Sequence, residues 1–201
     1  ILQEKRLIEN GAKFIVVKSP VNVPEFIFGL PSKDYLFIET AFSLVLKKKN
    51  FKCPSYIARR DHDFETKKLQ TPDTIQHVYD EIAKGIFNSD RIALDKHFTQ
   101  IIANNRYINW IKDLIAQGND IYEIYHNGDP VGFFVFKKID DKKIMGILTG
   151  TYEKYLTSGF GAVIINKLCN TVWTLGCTSF YVNVVSNNLK ALRINLLFGF
   201  E

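Results

Sequence analysis

The sequence predicts a mixed α/β (α+β) fold in which helices flank a mostly antiparallel sheet, with a small α/β domain in front. Three apolar segments, residues 122–125, 131–136 and 144–148, read as strands. Turn residues at 127–130 and 140–143 join them, and such turns between apolar runs predict an antiparallel meander. Two predicted helices precede this meander, and a helix, a strand and a helix follow it, so both element types belong to one domain.

The first part of the chain predicts a separate small unit. A short helix ends at Gly11, and residues 14–17 are β-branched and apolar enough for a buried strand. A helical turn over residues 24–30 and a second strand over residues 37–46 follow. These elements predict a small α/β unit of about 50 residues.

The composition changes at residues 50–54, which mark the domain boundary. We therefore place a small N-terminal α/β domain at residues 1–52 and a second domain at residues 53–201. Residues 55–59 predict the strand that opens this second domain.

Each helix of the second domain carries a start or a stop signal. Thr71 and Pro72 suit the N-cap and first helical position of a helix that ends at Gly85. Apolar residues at helical spacing and terminal glycines predict the others. These are helices over residues 98–116, 159–175 and 188–198, with a strand over residues 180–184 between the last two.

The composition indicates a folded chain without a membrane segment. Of its 201 residues 46% are hydrophobic, with 16 Phe and 9 Tyr, which is enough for a packed core. No apolar stretch approaches the roughly 20 residues needed to cross a bilayer, and the first residues lack a signal-peptide pattern. The net charge of +5 favours an anionic ligand, but the basic runs are short, so we predict no nucleic-acid binding.

The cysteines and histidines indicate neither a disulfide framework nor a metal site. Three cysteines without C-x-x-C spacing favour a reducing compartment, so we expect a cytoplasmic protein. Four scattered histidines predict no metal centre.

The last fifty residues carry the strongest functional signal. Gly159, Phe160, Gly161 and Ala162 form a glycine turn that opens a helix. Glycines let a backbone approach an anion closely, and the N-terminus of a helix offers free N–H groups and a favourable dipole. The turn therefore predicts a site for a phosphate-bearing cofactor.

This turn and the spacing of Asn188, Ala191, Gly199 and Phe200 resemble the motifs of the GNAT superfamily of N-acetyltransferases over about residues 55–201. The resemblance implies acetyl-CoA as the cofactor, with its pyrophosphate on the turn and its pantetheine arm between two splayed strands. An amide near residues 148–150 would polarise the thioester carbonyl. The implied cofactor-binding residues are Leu148, Thr149, Leu156, Ser158, Gly159, Phe160, Gly161, Ala162, Asn188 and Ala191.

Two positions depart from the family pattern. Leu156 stands where the family has Arg or Gln, which leaves the backbone donors in place. Asn195 stands where the family usually has a tyrosine that resembles a proton donor to the departing thiolate. Because an amide is not a general acid at physiological pH, a non-catalytic acyl-CoA-binding or regulatory module is the alternative to an N-acetyltransferase.

A finer resemblance, to the dTDP-fucosamine acetyltransferase type, rests on the added small domain and on Phe98, Arg106, Tyr107 and Trp110. It implies a nucleotide-linked amino sugar as the small-molecule amine acceptor. His97 lies where such relatives place acceptor-side residues, so we take His97 and Asn195 as the candidate catalytic residues. Phe98, Tyr107 and Trp110 suit the core side of a helix as well as a substrate-binding surface. Asn188 is either a helix cap or a ligand contact. The sequence leaves it open whether the protein is a homodimer.

Overall fold

The computed structural model describes residues 2–201, which form two compact units that divide between Phe37 and Ile38. The first unit contains helices α1 (Leu2–Glu9) and α2 (Pro24–Gly29) and the 3₁₀ turn Pro31–Lys33. The strand predicted at residues 14–17 is wrong: these residues do not form a strand, and Phe14 is 43% exposed. A strand is defined by ladder hydrogen bonds to a neighbouring strand, so apolar composition alone does not make one.

The second unit is built on a six-stranded sheet with the order β1-β6-β5-β4-β3-β2. Every neighbouring pair is antiparallel except β5 and β6, which run parallel. This confirms the predicted fold class and the meander. The strands are β1 (Ala41–Lys47), β2 (Phe64–Lys68), β3 (Ile121–His126), β4 (Asp129–Asp140), β5 (Lys143–Thr151) and β6 (Ser179–Val185).

Helices cover both faces of this sheet. One face packs against α7 and α8 and includes Phe134 and Phe136 of β4, whereas the other packs against α4 and α6 and includes Phe133 and Val135. The alternation follows from the strand period of two. The helices are α3 (Ser55–Ala58), α4 (Pro72–Ala83), α5 (Arg91–Leu94), α6 (Gln100–Ala116), α7 (Phe160–Thr174) and α8 (Leu189–Leu197).

Two further segments differ from the prediction. The second strand expected in the small domain, over residues 37–46, corresponds to β1, which pairs with β6 over its full length. The two units therefore divide near residue 37 rather than near residue 52. Residues 55–59 begin as helix α3 rather than as a strand, because the Pro54 carbonyl accepts hydrogen bonds from Ile57 N at 2.9 Å and Ala58 N at 3.0 Å.

No helix within residues 2–201 combines the length and the apolar character that crossing a membrane requires.

Candidate functional site

The parallel strands β5 and β6 separate part-way along their length. Their pairing runs from Lys143 and Ser179 to Gly146 and Val182, after which β5 continues to Thr151 and β6 to Val185. Alternate residues of a strand direct their N–H and C=O groups to opposite sides. Every second residue of β5 beyond Gly146 therefore directs its backbone N–H and C=O groups into the opening. The amide near residues 148–150 that we expected to polarise the thioester carbonyl belongs to this stretch.

A β-bulge coincides with the start of this opening. Phe136 of β4 pairs with Gly146 and the preceding Val135 pairs with Leu148, so Ile147 is an extra residue in β5. Bulges bend a strand and increase its local twist. The bulge thus turns β5 away from β6 at the point where their pairing ends.

The glycine turn lies beside the open end of β5. Gly159 is the N-cap residue of α7 and has φ 79°, a left-handed conformation that favours glycine. A Cβ on Gly161 would lie 3.4 Å from Thr151 Oγ1 at the end of β5 and 3.7 Å from Ile194 Cδ1 of α8. The first turn of α7, the end of β5 and the middle of α8 therefore meet at one point.

Side chains in the segment before α7 hold this turn. Ser158 Oγ donates to the Tyr155 carbonyl at 2.7 Å and accepts from Phe160 N at 3.1 Å. Tyr155 OH donates to Asp129 Oδ2 at 3.0 Å, and this hydrogen bond, followed by that from Lys154, holds the pKa of Asp129 below its ordinary value. Ser158 thus takes up one α7 amide.

Two residues of the predicted cofactor set differ in what they present to a ligand. Phe160 is buried, its ring lies edge-on to Phe64 at 4.9 Å, and its backbone N–H donates to Ser158 Oγ, so neither group faces a ligand. Leu156 is 49% exposed at the start of the turn segment.

Asn188 and Asn195 form hydrogen bonds with the backbone of α8. Asn188 Oδ1 accepts from Ala191 N at 3.1 Å, and Asn195 Nδ2 donates to the Ala191 carbonyl at 2.8 Å. Asn188 is thus the N-cap of α8, one of the two roles expected for it. Asn195 is buried, and its Oδ1 has no hydrogen-bond partner within residues 2–201.

A sequence model of the acetyltransferase (GNAT) family matches residues 86–200, which is more than half of the chain. The chain belongs to the GNAT acetyltransferase family. This is a family of acetyltransferases that use acetyl-CoA as the acetyl donor. No curated protein sequence matches the chain.

Solved structures share the GNAT fold at low sequence identity. A functionally unknown conserved protein from Staphylococcus epidermidis has 15% identity and a TM-score of 0.63, covering 100% of this chain and 73% of that one. The glucosamine N-acetyltransferase region of a fungal GH3 β-N-acetylglucosaminidase has 12% identity and a TM-score of 0.68, covering 92% of this chain and 22% of that one. The ribosomal-protein-S18-alanine N-acetyltransferase from Escherichia coli has 12% identity and a TM-score of 0.50, covering 69% of this chain and 77% of that one.

The proposed acceptor-side histidine of this GNAT protein lies on the segment between α5 and α6. His97 has a side chain that is 66% exposed, and its Nδ1 lies 2.7 Å from Asp95 Oδ1. The backbone N–H of His97 also donates to that oxygen at 3.0 Å, and this bond is the main reason why the pKa of Asp95 is lowered. The contact with Asp95 orients the imidazole but does not connect it to β5.

Sequence reasoning missed a buried carboxylate on the α4 side of the sheet. Glu123 of β3 is 2% exposed; its Oε1 accepts from Tyr152 OH at 2.5 Å and lies 2.9 Å from His77 Nδ1, and its Oε2 accepts from Tyr125 OH. Burial, and then the charge of Glu123, raise the pKa of Tyr152. Tyr152 directly follows β5, so Glu123 anchors the segment that leads to the glycine turn.

A charged residue inside an otherwise apolar strand is the sequence signal that identifies Glu123. Among the described residues, no group of three or more His, Cys, Asp or Glu side chains could hold a metal ion.

Replacing Asn188 with alanine tests its role as a cap. We expect Asn188→Ala to lower the free energy of unfolding by about 1 kcal/mol, because the first turn of α8 loses its side-chain acceptor. We expect the Kd for acetyl-CoA to stay within about twofold of the wild type. Urea denaturation and calorimetry measure the two quantities, and a weakened Kd with unchanged stability would show instead that Asn188 contacts the ligand.

Proposed function

We propose that this GNAT protein transfers the acetyl group of acetyl-CoA to a primary amine by direct attack within a ternary complex. The observation that carries the proposal is the separation of β5 from β6 after Gly146, next to the first turn of α7. Two parallel strands that part in this way offer backbone hydrogen-bonding groups on both sides of an extended ligand.

The first turn of α7 supplies the anion site in this proposal. The Gly161 N–H has no carbonyl partner within the helix, the Ala162 N–H makes only a long hydrogen bond of 3.4 Å to the Gly159 carbonyl, and the helix dipole adds to their attraction for a diphosphate. Gly159 and Gly161 carry no side chains that would hinder the approach of the phosphates. Ser158 Oγ satisfies the Phe160 amide, so the Gly161 amide is the main proposed donor, and the Ala162 amide joins it by exchanging its long hydrogen bond to Gly159 for one to the ligand.

The open half of β5 supplies the catalytic amide. Acetyl-CoA, when bound, supplies a thioester whose carbonyl carbon the neutral amine attacks; the N–C bond forms, the C–S bond breaks and the proton on nitrogen passes to solvent water. A backbone N–H of residues 148–150 stabilises the negative charge that develops on the carbonyl oxygen. Holding amine and thioester in line contributes the larger part of the rate enhancement.

Asn195 makes one step of this reaction different from the usual pattern. Its Nδ2 donates to the Ala191 carbonyl, and an amide is no proton donor at physiological pH. The sulfur therefore leaves as a thiolate or takes its proton from another group, and the absent general acid corresponds to a factor of about 10²–10⁴ in rate. This residue is also what favours a non-catalytic acyl-CoA-binding module as the second candidate.

An amino sugar is the proposed class of acceptor, with a nucleotide-linked form as the finer proposal. The fungal region with the same fold is a glucosamine N-acetyltransferase, and the segment with Arg106, Tyr107 and Trp110 supports the likeness to sugar-type relatives. Arg106 lies over the ring of Trp110 at 5.5 Å, and Trp110 is 36% exposed, whereas Tyr107 is buried in the core. Trp110 is thus the aromatic residue of this set that is available to a sugar.

Release of free coenzyme A thiol tests the function directly. The wild-type protein is supplied with acetyl-CoA and, separately, glucosamine, a dTDP-linked amino sugar, a peptide with an N-terminal alanine, and glucose. We expect saturable thiol release with the amino sugars and none with glucose, which has no amine. Saturable binding of acetyl-CoA without thiol release for any amine would favour the non-catalytic module, and release with the peptide alone would exclude an amino-sugar acceptor.

A further inference from the structure

The guanidinium of Arg60 lies beside the N-terminal end of α7. Its central carbon is 5.2 Å from the ring centre of Phe160 and 5.9 Å from that of Phe64, the first residue of β2. Phe160 is the first residue of α7, and the next residue is Gly161, whose amide is the main proposed donor to the diphosphate. A positive charge is therefore placed next to the start of the proposed anion site.

The segment that carries Arg60 is anchored further along the same helix. Asp61 Oδ1 accepts from Asn166 Nδ2 at 2.7 Å, and Asp61 Oδ2 accepts from Lys167 Nζ at 2.9 Å. Residues 160 and 166 are about 9 Å apart along the axis of an α-helix. The Arg60 side chain therefore runs from the level of Asn166 back toward the N-terminus of α7, and its guanidinium lies at the level of the first turn.

Two buried rings support this guanidinium while its own surface stays accessible. Phe160 and Phe64 are 7% and 3% exposed, whereas Arg60 is an exposed residue. A guanidinium over an aromatic ring is held by a cation–π interaction, and its N–H groups point outward in its own plane. The N–H groups of Arg60 are thus accessible to a ligand that approaches the end of α7.

Arg60 differs from the neighbouring cations in having no acidic partner. Lys167 Nζ is paired with Asp61, and Lys154 Nζ, in the segment before α7, lies 3.4 Å from Asp129 Oδ2. Arg60 forms neither an ion pair nor a side-chain hydrogen bond within residues 2–201, and its ring contacts are its side-chain interactions there. Of these three cations, Arg60 is the one whose charge is left for an external anion.

We propose that Arg60 binds a phosphate group of the coenzyme at the N-terminus of α7. The proposal rests on the proposed function, since it adds a side chain from the segment before β2 to the anion site of that function. The planar N–H groups of an arginine match two phosphate oxygens, and the free amide of the first turn approaches the same ligand along the helix axis. The turn segment does not supply such a group itself, because Leu156 is apolar and Lys154 is paired.

Binding measured without any acceptor tests the assignment. The wild type and Arg60→Gln are titrated calorimetrically with coenzyme A and with 3′-dephospho-coenzyme A, and their binding of pantetheine, which has no phosphate, is followed by NMR. We expect Arg60→Gln to bind coenzyme A about tenfold more weakly than the wild type and to bind pantetheine equally well. Unchanged binding of coenzyme A, or an equal loss with pantetheine, would overturn the proposal.

The two forms of the coenzyme identify the phosphate. A loss that coenzyme A and 3′-dephospho-coenzyme A share assigns Arg60 to the diphosphate, and a loss confined to coenzyme A assigns it to the 3′-phosphate. Either result supports Arg60 as a phosphate ligand. We expect Arg60→Lys, which keeps the charge, to bind coenzyme A within about threefold of the wild type.

Arg59→Gln is the matched control. Arg59 is the adjacent exposed arginine, and the change in net charge is the same. We expect this variant to bind coenzyme A within about twofold of the wild type. An equal loss in both glutamine variants would indicate a general attraction by net charge and would contradict a specific contact with Arg60.

The thiol-release assay remains a separate measurement. Failure of acetyl transfer, with coenzyme binding that depends on Arg60, would refute the proposed function alone. Acetyl transfer by a protein whose coenzyme binding is unaffected by Arg60→Gln would refute the role of Arg60 alone.

Discussion

Replacing Gly161 with leucine is expected to weaken acetyl-CoA binding about 100-fold or more. Gly161 lies in the first turn of α7, where its Cβ position is already in ordinary contact with Thr151 Oγ1 at 3.4 Å and Ile194 Cδ1 at 3.7 Å. A methyl group fits this space, but a longer side chain must either displace α8 or extend across the free amides of the turn. Either response removes one or two charge-assisted hydrogen bonds to the diphosphate, each with a contribution of about 1.5–3 kcal/mol.

Calorimetric titration with acetyl-CoA measures this effect, and Gly161→Ala is the matched control. We expect the alanine variant to bind within about tenfold of the wild type, because its Cβ meets no atom closer than 3.4 Å. Circular dichroism must show that both variants are folded. Tight binding by a folded Gly161→Leu protein would mean that the diphosphate does not lie on this turn, and the placement of the coenzyme would be wrong.

Most helices of the second unit are predictable because their signals are local. Thr71 accepts from Thr74 N in a capping box and is followed by Pro72, and the glycines that end α4, α6 and α7 have positive φ. These features act within a few residues of the helix end and need no tertiary partner. The glycine turn at residues 159–161 is found for the same reason.

The edge strand β2 is not predictable in this way. β2 has the sequence FETKK, in which Phe64 is buried and three of the other four residues are exposed, so its strand character comes from pairing with β3. Residues 14–17 show the reverse, an apolar run that does not form a strand. Hydrophobic pattern therefore identifies the apolar strands of this sheet, whereas the polar edge strand β2 depends on its neighbour.

Other contacts in the second unit join distant parts of the chain. Glu39 and Arg91 are 52 residues apart, and Glu123 meets Tyr152, which is 29 residues away. No sequence spacing indicates these contacts, because strand order in the sheet brings the residues together. The glycine turn can therefore be predicted from the sequence, whereas contacts that depend on strand order cannot.

Replacing Gly132 with alanine is expected to lower the free energy of unfolding by at least about 3 kcal/mol. Gly132 lies in β4 and faces α7, and a Cβ at this position would lie 2.4 Å from the Gly150 carbonyl oxygen and 2.4 Å from Ile164 Cδ1. The first atom belongs to the backbone of β5, and Ile164 is fully buried, so neither moves without disturbing the core. Urea denaturation measures the loss, and Gly161→Ala in the same unit is the control that should change little.

The same substitution is expected to impair the site in whatever fraction remains folded. Beyond Gly146, β5 lacks the support of β6, so its position there depends on β4 and on the side chains packed against it. Gly132 allows β4, β5 and α7 to approach closely at Gly150. On the opposite face of the sheet, the side chains of Phe133, Ile86 and Phe87 pack against Gly150. Displacing Gly150 moves the amides that face the opening by tenths of an ångström or more, and misplacement of about 1 Å costs about 10²-fold in rate. A Gly132→Ala protein with unchanged unfolding free energy and acetyl-CoA affinity would show that this close contact does not position the open half of β5.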